Sequence, residues 1–150
     1  MSMHRHSTLR WLALGAIVSL ACSEGTGPGD CSANTGSVNV TVTTGATVTF
    51  DWQPRCAVAL LLVEQEASDQ WAISAPNFDE TATTAANVIL PPITYAQVPA
   101  GAEEVQAPET LMAGTTYEVV LWKIVDAGAN PPCQERFENA CLIAVKAFQR

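Results

Sequence analysis

The side chains of this 150-residue chain that could do chemistry are five cysteines and a few closely spaced acids. The cysteines are Cys22, Cys31, Cys56, Cys133 and Cys141. Both histidines, His4 and His6, lie within the first ten residues, and the sequence after them contains none. The sequence after residue 10 therefore cannot supply the histidine base of a catalytic triad. It also cannot supply a histidine ligand for zinc.

Closely spaced acids are the remaining candidates for general acid–base chemistry. The pairs are Glu64 with Glu66, Asp79 with Glu80, and Glu103 with Glu104. Two carboxylates can hydrolyse a glycoside, and the first pair is expected to share one face at the end of a strand. The second pair lacks the regular aspartate spacing of a calcium loop. We therefore expect solvated surface acids, with no catalytic residue, metal or cofactor.

The first 21 residues have the organisation of a secretory signal. Residues 1–10 hold Arg5 and Arg10 and no acid, and residues 11–21 are eleven apolar or small residues. A membrane-spanning helix needs about 20 such residues, so this run is too short to span a bilayer. A basic start, a short apolar run and a small residue at its end predict a signal peptide over residues 1–21. The alternative is the N-terminal helix of a cytosolic fold.

Ser19-Leu20-Ala21-Cys22 resembles the lipobox of bacterial lipoproteins, in which signal peptidase II cleaves before a diacylglycerol-bearing cysteine. The resemblance implies that Cys22 becomes an acylated amino terminus and that the lipid bilayer is a partner. In that family a serine after the cysteine, as here, accompanies sorting to the outer membrane. Cysteine parity agrees, because four downstream cysteines can pair in an oxidising compartment and leave Cys22 for the lipid.

The resulting organisation is a signal peptide (1–21), a lipidated cysteine with a flexible tether (22–36) and one folded domain (37–150). Removing the signal leaves fifteen acids and five bases, a net charge near −10. No basic stripe exists in this sequence. We therefore predict that nucleic acid is not a partner.

A period of two in the apolar residues predicts strands in the folded domain. The segments "SVNVTV" and "TVTFDW" flank a turn at Gly45, and "AVALLLVEQ", "DQWAIS", "TTYEVVLWKIV" and "CLIAVKAFQ" follow at intervals. The stretch from 75 to 110 holds five prolines, so it should carry only short edge strands, near 88–90 and 93–98. About seven short strands in this length predict an all-β antiparallel sandwich.

Two segments resemble a fibronectin type III domain, one of the immunoglobulin-like sandwiches. "TVTFDWQP", with Trp52, is similar to that family's B strand, and "LMAGTTY", with Leu111 and Tyr117, is similar to its tyrosine corner. The resemblance implies that the Tyr117 hydroxyl bonds back to the backbone across the corner.

The predicted sandwich suggests how the cysteines pair. Cys31 precedes the first strand and Cys56 follows the second, so an antiparallel pair brings both to one end. Cys133 and Cys141 flank the last connection. Of the three pairings, Cys31–Cys56 with Cys133–Cys141 is preferred, and the absence of Cys-x-x-Cys from the sequence favours structural bridges.

An apolar patch is the remaining candidate site. If Tyr117 points inward, then Val120, Trp122 and Ile124 point outward. One of two sets on the strand at 57–65 also points outward, either Val58, Leu60 and Leu62 or Ala59, Leu61 and Val63. The set Leu61 and Val63 would complete a binding patch for a protein or a glycan. The alternative is that the segment from 75 to 110 folds over this face and makes it core.

Two classes of function follow from these observations. The first is a lipid-anchored envelope protein, facing the periplasm or the exterior, whose sandwich binds or scaffolds. The second is a small envelope hydrolase that uses paired carboxylates across a cleft. A purely structural envelope component cannot be separated from the first class by sequence.

Overall fold

The computed structural model describes residues 31, 35–125, 134–137 and 139–150, and its fold is all-β. Nine strands lie in these residues. They are β1 (Asn39–Thr43), β2 (Thr49–Gln53), β3 (Leu60–Gln65), β4 (Ser68–Ser74), β5 (Ile93–Thr94), β6 (Glu103–Gln106), β7 (Thr116–Ile124), β8 (Gln134–Phe137) and β9 (Ala140–Gln149). A single 3-10 turn, Thr84–Ala86, completes the described secondary structure.

The strands form two antiparallel sheets. One has three strands in the order β1-β2-β5, and the other has six in the order β6-β4-β3-β7-β9-β8. The structure confirms seven predicted strands. They are β1, β2, β3, β4, β7 and β9, together with the short strand β5 that begins at Ile93. Strands β6 and β8 were not predicted.

The main core lies between the two sheets, as in a β-sandwich. Alternate residues of β1 and β2 point into it, including Val40, Phe50 and Trp52, because β-strand side chains alternate between faces. Phe50 meets Phe148 of the opposite sheet edge to face, with ring centroids 5.6 Å apart. This interlocking of aromatic side chains joins the first hairpin to the last strand.

A second apolar cluster lies on the other face of the six-stranded sheet. Its members come from β3, β4, β7 and β9, and include Leu60, Leu62, Val120 and Trp122. Residues 75–88, which we name the cover segment, pack against this cluster through Phe78, Ala82 and Ala86. The six-stranded sheet is therefore packed on both faces, and its central strand β3 is apolar on both faces for that reason.

Candidate functional site

The cysteine pair at the start of the domain forms as predicted. Cys31 and Cys56 are disulfide-bonded, with Cα atoms 5.6 Å apart. Trp52 lies beside the bridge, and its indole N–H donates to the Cys56 carbonyl oxygen at 2.9 Å. On the other side the Lys123 ammonium donates to the Cys31 carbonyl oxygen at 2.7 Å. The disulfide and the Lys123 hydrogen bond together attach Cys31 to both sheets.

Residues between the bridge and β1 also contact the folded domain. The Gly36 N–H donates to the Ile143 carbonyl oxygen at 2.9 Å, and the Thr35 hydroxyl donates to the Leu142 carbonyl oxygen at 2.9 Å. Both acceptors belong to β9. These two bonds attach the approach to β1 onto the last strand.

The remaining cysteine predictions fall partly beyond the residues that the structure describes. Cys22, the predicted lipidation site, and Cys133 both lie outside them. Cys141 is buried in β9. The pairing of Cys133 with Cys141 and the acylation of Cys22 stay predictions.

The predicted apolar patch is not an exposed surface. Leu61 and Val63 are fully buried in the main core, because they lie in register with Leu121 and Val119, which point inward from β7. Their choice as outward residues is wrong, and Leu60 and Leu62 take the outer face instead.

The three patch residues on β7 do point to the outer face, but the cover segment lies over them. Val120, Trp122 and Ile124 belong to the second cluster, and the Trp122 side chain is only 8% exposed. The structure therefore agrees with the alternative in which the segment after residue 75 makes this face core.

Polar contacts hold the cover segment at two points. The Asn87 carboxamide donates to the Ile124 carbonyl oxygen at 2.8 Å and accepts from the Ile124 N–H at 2.9 Å. The Asn139 carboxamide donates to the Ala82 carbonyl oxygen. The sequence did not indicate the role of either asparagine, because each side chain is hydrogen-bonded to backbone groups that are distant along the chain.

The predicted corner is present. The Tyr117 hydroxyl accepts a hydrogen bond from the Met112 N–H at 2.7 Å, across the turn before β7. Gly114 lies in that turn with φ +80°, a left-handed conformation that glycine adopts without steric cost. Leu111 packs against the main core from its edge, and Tyr117 and Trp52 are buried within it. The corner therefore joins the turn before β7 to the main core.

The acid pair that was expected to share a strand face, Glu64 with Glu66, does not do so. Glu66 lies beyond the end of β3 with φ 50°, so it does not continue the strand face that carries Glu64. Instead, Glu64 lies in register with Asp69 on one neighbouring strand and with Glu118 on the other. This row of three acids was missed because strand register brings them together. Like charges that face each other across strands destabilise a sheet.

Asp79 is used to build the cover segment. Its carboxylate accepts hydrogen bonds from the Thr81 hydroxyl at 2.6 Å and from the Thr81 N–H at 2.8 Å. The Thr81 hydroxyl bond, followed by the Thr81 backbone bond, lowers the pKa of Asp79 below its ordinary value. A carboxyl with a lowered pKa is a poor proton donor near neutral pH.

The cavities of the described residues include two shallow ones. One, of about 310 Å³, is lined by the cover segment, including Thr81, Ala86 and Val88. The other, of about 230 Å³, lies at one end of the sandwich and includes Glu109 and Arg150 in its lining. The Arg150 guanidinium donates to the Gly45 carbonyl oxygen, which ties the chain end to the first hairpin. Neither cavity brings two carboxylates to face each other.

Within the described ranges, no group of three or more His, Cys, Asp or Glu side chains is placed to hold a metal ion. The same residues include no helix whose length and apolar character would let it cross a membrane. Comparison with known proteins adds no relative: no protein-family model, curated protein or solved structure matches this chain.

Proposed function

We propose that this protein is a membrane-anchored lipoprotein of the bacterial cell envelope whose β-sandwich binds or scaffolds without catalysis. Its anchor is acylated Cys22, and its location is the outer membrane, facing the periplasm or the exterior. Its partner, beyond the bilayer, is a protein or a glycan. The Cys31–Cys56 bridge is the observation that carries the proposal.

The bridge supports export because disulfides persist in oxidising compartments and are rare in the cytosol. It lies only nine positions after Cys22, directly behind the apolar run and its lipobox-like end. A chain that must oxidise Cys31 needs a signal to leave the cytosol, and residues 1–21 have the organisation of one. The signal and the bridge thus support each other from separate parts of the chain.

The position of Cys31 also sets the distance between domain and bilayer. Residues 23–30 separate it from the proposed anchor, and a Gly/Ser/Pro-rich coil of that length reaches about 15 Å. Because Cys31 is bonded to Cys56 and to Lys123, the tether enters at one fixed end of the sandwich. That end of the domain would lie close to the membrane.

The finer fold that we propose is an immunoglobulin-like sandwich of the fibronectin type III kind. In immunoglobulin domains strands A, B and E share one sheet and C, F and G the other. Here β1, β2 and β5 form one sheet, while β3, β7 and β9 are consecutive neighbours in the second. The Tyr117–Met112 bond supports the same assignment, since it has the geometry of a tyrosine corner.

A binding or scaffolding role is preferred to the hydrolase for a geometric reason. A glycosidase of the two-carboxylate type needs an acid on each side of the scissile bond, roughly 5 to 10 Å apart. The acids that strand register brings together lie on the surface of one sheet, and neither described cavity is lined by a pair of acidic side chains. Asp79 is hydrogen-bonded within its own turn. No observation favours the hydrolase.

Expression of the full chain in a Gram-negative host tests the anchor directly. We expect the protein in the membrane fraction, and an intact mass that begins at Cys22 and includes a diacylglycerol. The Cys22→Ala variant should lose the lipid mass and leave the membrane fraction or remain uncleaved, whereas Thr26→Ala in the tether should behave like the parent. A parent protein that keeps residues 1–21, or that begins at Cys22 without lipid, would overturn the proposal.

A further inference from the structure

The β1 edge of the three-stranded sheet lacks the protection that the other sheet edges of this molecule have. Strand β1 is last in its sheet, and among the described residues it is hydrogen-bonded to β2 alone. Its register with β2 is unbroken from Asn39 to Thr43. An edge strand presents backbone N–H and C=O groups that another strand can use, so proteins usually protect such edges.

The other three edges carry the usual protection. Strand β5 has only two residues and directly follows Pro92. Strand β6 begins with Glu103 and Glu104, and its register with β4 is irregular. Strand β8 has only four residues, and its register with β9 is irregular. Strand β1, with the sequence NVTVT, has no charge, no proline and no bulge, which leaves it open to pairing.

The side chains of β1 suit pairing with a second copy of the same strand. Asn39, Thr41 and Thr43 are exposed, short and uncharged, while Val40 is buried and Val42 partly buried. An antiparallel pair centred on Thr41 sets Thr41 opposite Thr41, and Asn39 opposite Thr43. A cross-strand Thr–Thr pair stabilises neighbouring strands, and no like charges are opposed although the chain as a whole is acidic.

We propose that β1 pairs antiparallel with β1 of a second copy, so that the two three-stranded sheets become one six-stranded sheet across a two-fold axis. The two-fold operation requires a self-complementary edge, and the NVTVT pattern supplies one. This inference does not depend on acylation of Cys22. Anchoring both copies in one bilayer would nevertheless raise their effective concentration.

Disulfide cross-linking tests the register. In the Thr41→Cys variant the two introduced thiols would lie on facing residues, whose Cα atoms are roughly 4.5 to 5.5 Å apart, within disulfide reach. The matched control is Thr49→Cys on β2, because at least three strand spacings, about 14 Å, separate its two copies. We expect the oxidised full chain, in mild detergent, to give a reducible dimer band for Thr41→Cys only. Equal cross-linking of both variants, or of neither, would overturn the proposal.

A charge at the same position provides a second test. Thr41→Lys opposes two ammonium groups across the axis, so sedimentation equilibrium should give a monomer where the parent gives a dimer, with an unchanged circular dichroism spectrum. Thr41→Ser keeps the hydroxyl and should remain dimeric. A parent that is monomeric at every concentration, or a Thr41→Lys variant as dimeric as the parent, would contradict the pairing. If Thr41→Lys does not fold, the cross-linking result decides.

Discussion

The carboxamide of Asn87 pairs with both backbone polar groups of Ile124. Its Nδ2 donates to the Ile124 carbonyl oxygen at 2.8 Å, and its Oδ1 accepts from the Ile124 N–H at 2.9 Å. Ile124 is the last residue of β7 and lies beyond the register of β7 with β3, which begins at the Leu60–Trp122 pair. The Asn87 side chain thus supplies the two backbone hydrogen bonds that a neighbouring strand supplies elsewhere in the sheet. These bonds fix the cover segment to the sheet.

Replacing Asn87 with alanine should loosen this attachment. Two backbone groups of a fully buried residue would lose their partners, which costs about 1–3 kcal/mol of folding free energy. We expect hydrogen exchange at the Ile124 amide to accelerate together with that loss. Thr83→Ala is the matched control, because Thr83 is exposed and its side chain makes no capping bond to the 3-10 turn. Unchanged exchange at Ile124 would show that Asn87 does not hold the segment.

Truncating Trp122 separates a core residue from a binding residue. Because its side chain is 8% exposed beneath the cover segment, Trp122→Ala should reduce the free energy of unfolding by about 3–5 kcal/mol. Urea unfolding with disulfides intact measures this loss. Val145→Ala is the control, since Val145 lies on β9 with 47% of its side chain exposed and should change stability by about 0.5 kcal/mol or less. A Trp122→Ala variant as stable as the parent would contradict the burial of Trp122 and support its interpretation as part of an exposed binding patch.

Removing the Tyr117 hydroxyl tests the corner. In Tyr117→Phe the Met112 N–H loses its acceptor, and we expect a loss of about 0.5–1.5 kcal/mol in the free energy of unfolding. Met112→Ala keeps the backbone N–H and removes a side chain that is 63% exposed, so it should have little effect. Equal stability of the parent and Tyr117→Phe would mean that the hydrogen bond adds nothing to folding.

Ionisation of Tyr95 should make the free energy of unfolding fall with rising pH in the alkaline range. Burial raises the pKa of Tyr95 to about 12, while its hydroxyl lies 2.8 Å from the Glu109 carbonyl oxygen and 3.1 Å from that of Gln70. A folded-state pKa above the ordinary 10 gives stability that is complete below pH 10 and is lost as pH rises toward 12.

Phenolate absorbance measures this titration. The chain has two tyrosines, so the Tyr117→Phe variant leaves Tyr95 as the only phenol. We expect its midpoint near 12 in the folded protein and near 10 in urea. The stability advantage of the parent over Tyr95→Phe should shrink across the same interval. A folded-state midpoint near 10 would contradict the burial of this hydroxyl.

Local patterns were sufficient to predict much of the fold. Strands β1, β2, β4, β7 and β9 each contain apolar residues that the sequence itself identifies, and the corner partners Met112 and Tyr117 are close neighbours in the chain. Strand β6 was missed because its residues, EEVQ, are largely exposed and carry no apolar alternation. Its place in the sheet comes from pairing with β4, which is a tertiary contact.

The candidate patch was predicted only in part. The inward and outward sets of β7 were assigned correctly from Tyr117, because a strand alternates strictly between its two faces. The choice between the two sets of β3 could not be made in this way, since the first four residues of the strand, Leu60–Val63, are all apolar. Register with β7 decides it, and register is not visible in a single strand.

A sheet with protein on both sides behaves as the middle layer of a three-layer stack, and this affects how mutational screens should be interpreted. Substitutions of the buried residues of β3 and β7 will lower the amount of folded protein in the cell, even where those residues contact no partner. A screen that scores only loss of phenotype would therefore mistake misfolding for lost recognition at these positions. Abundance has to be counted for every variant, and positions that change phenotype without changing abundance mark the true contact surface.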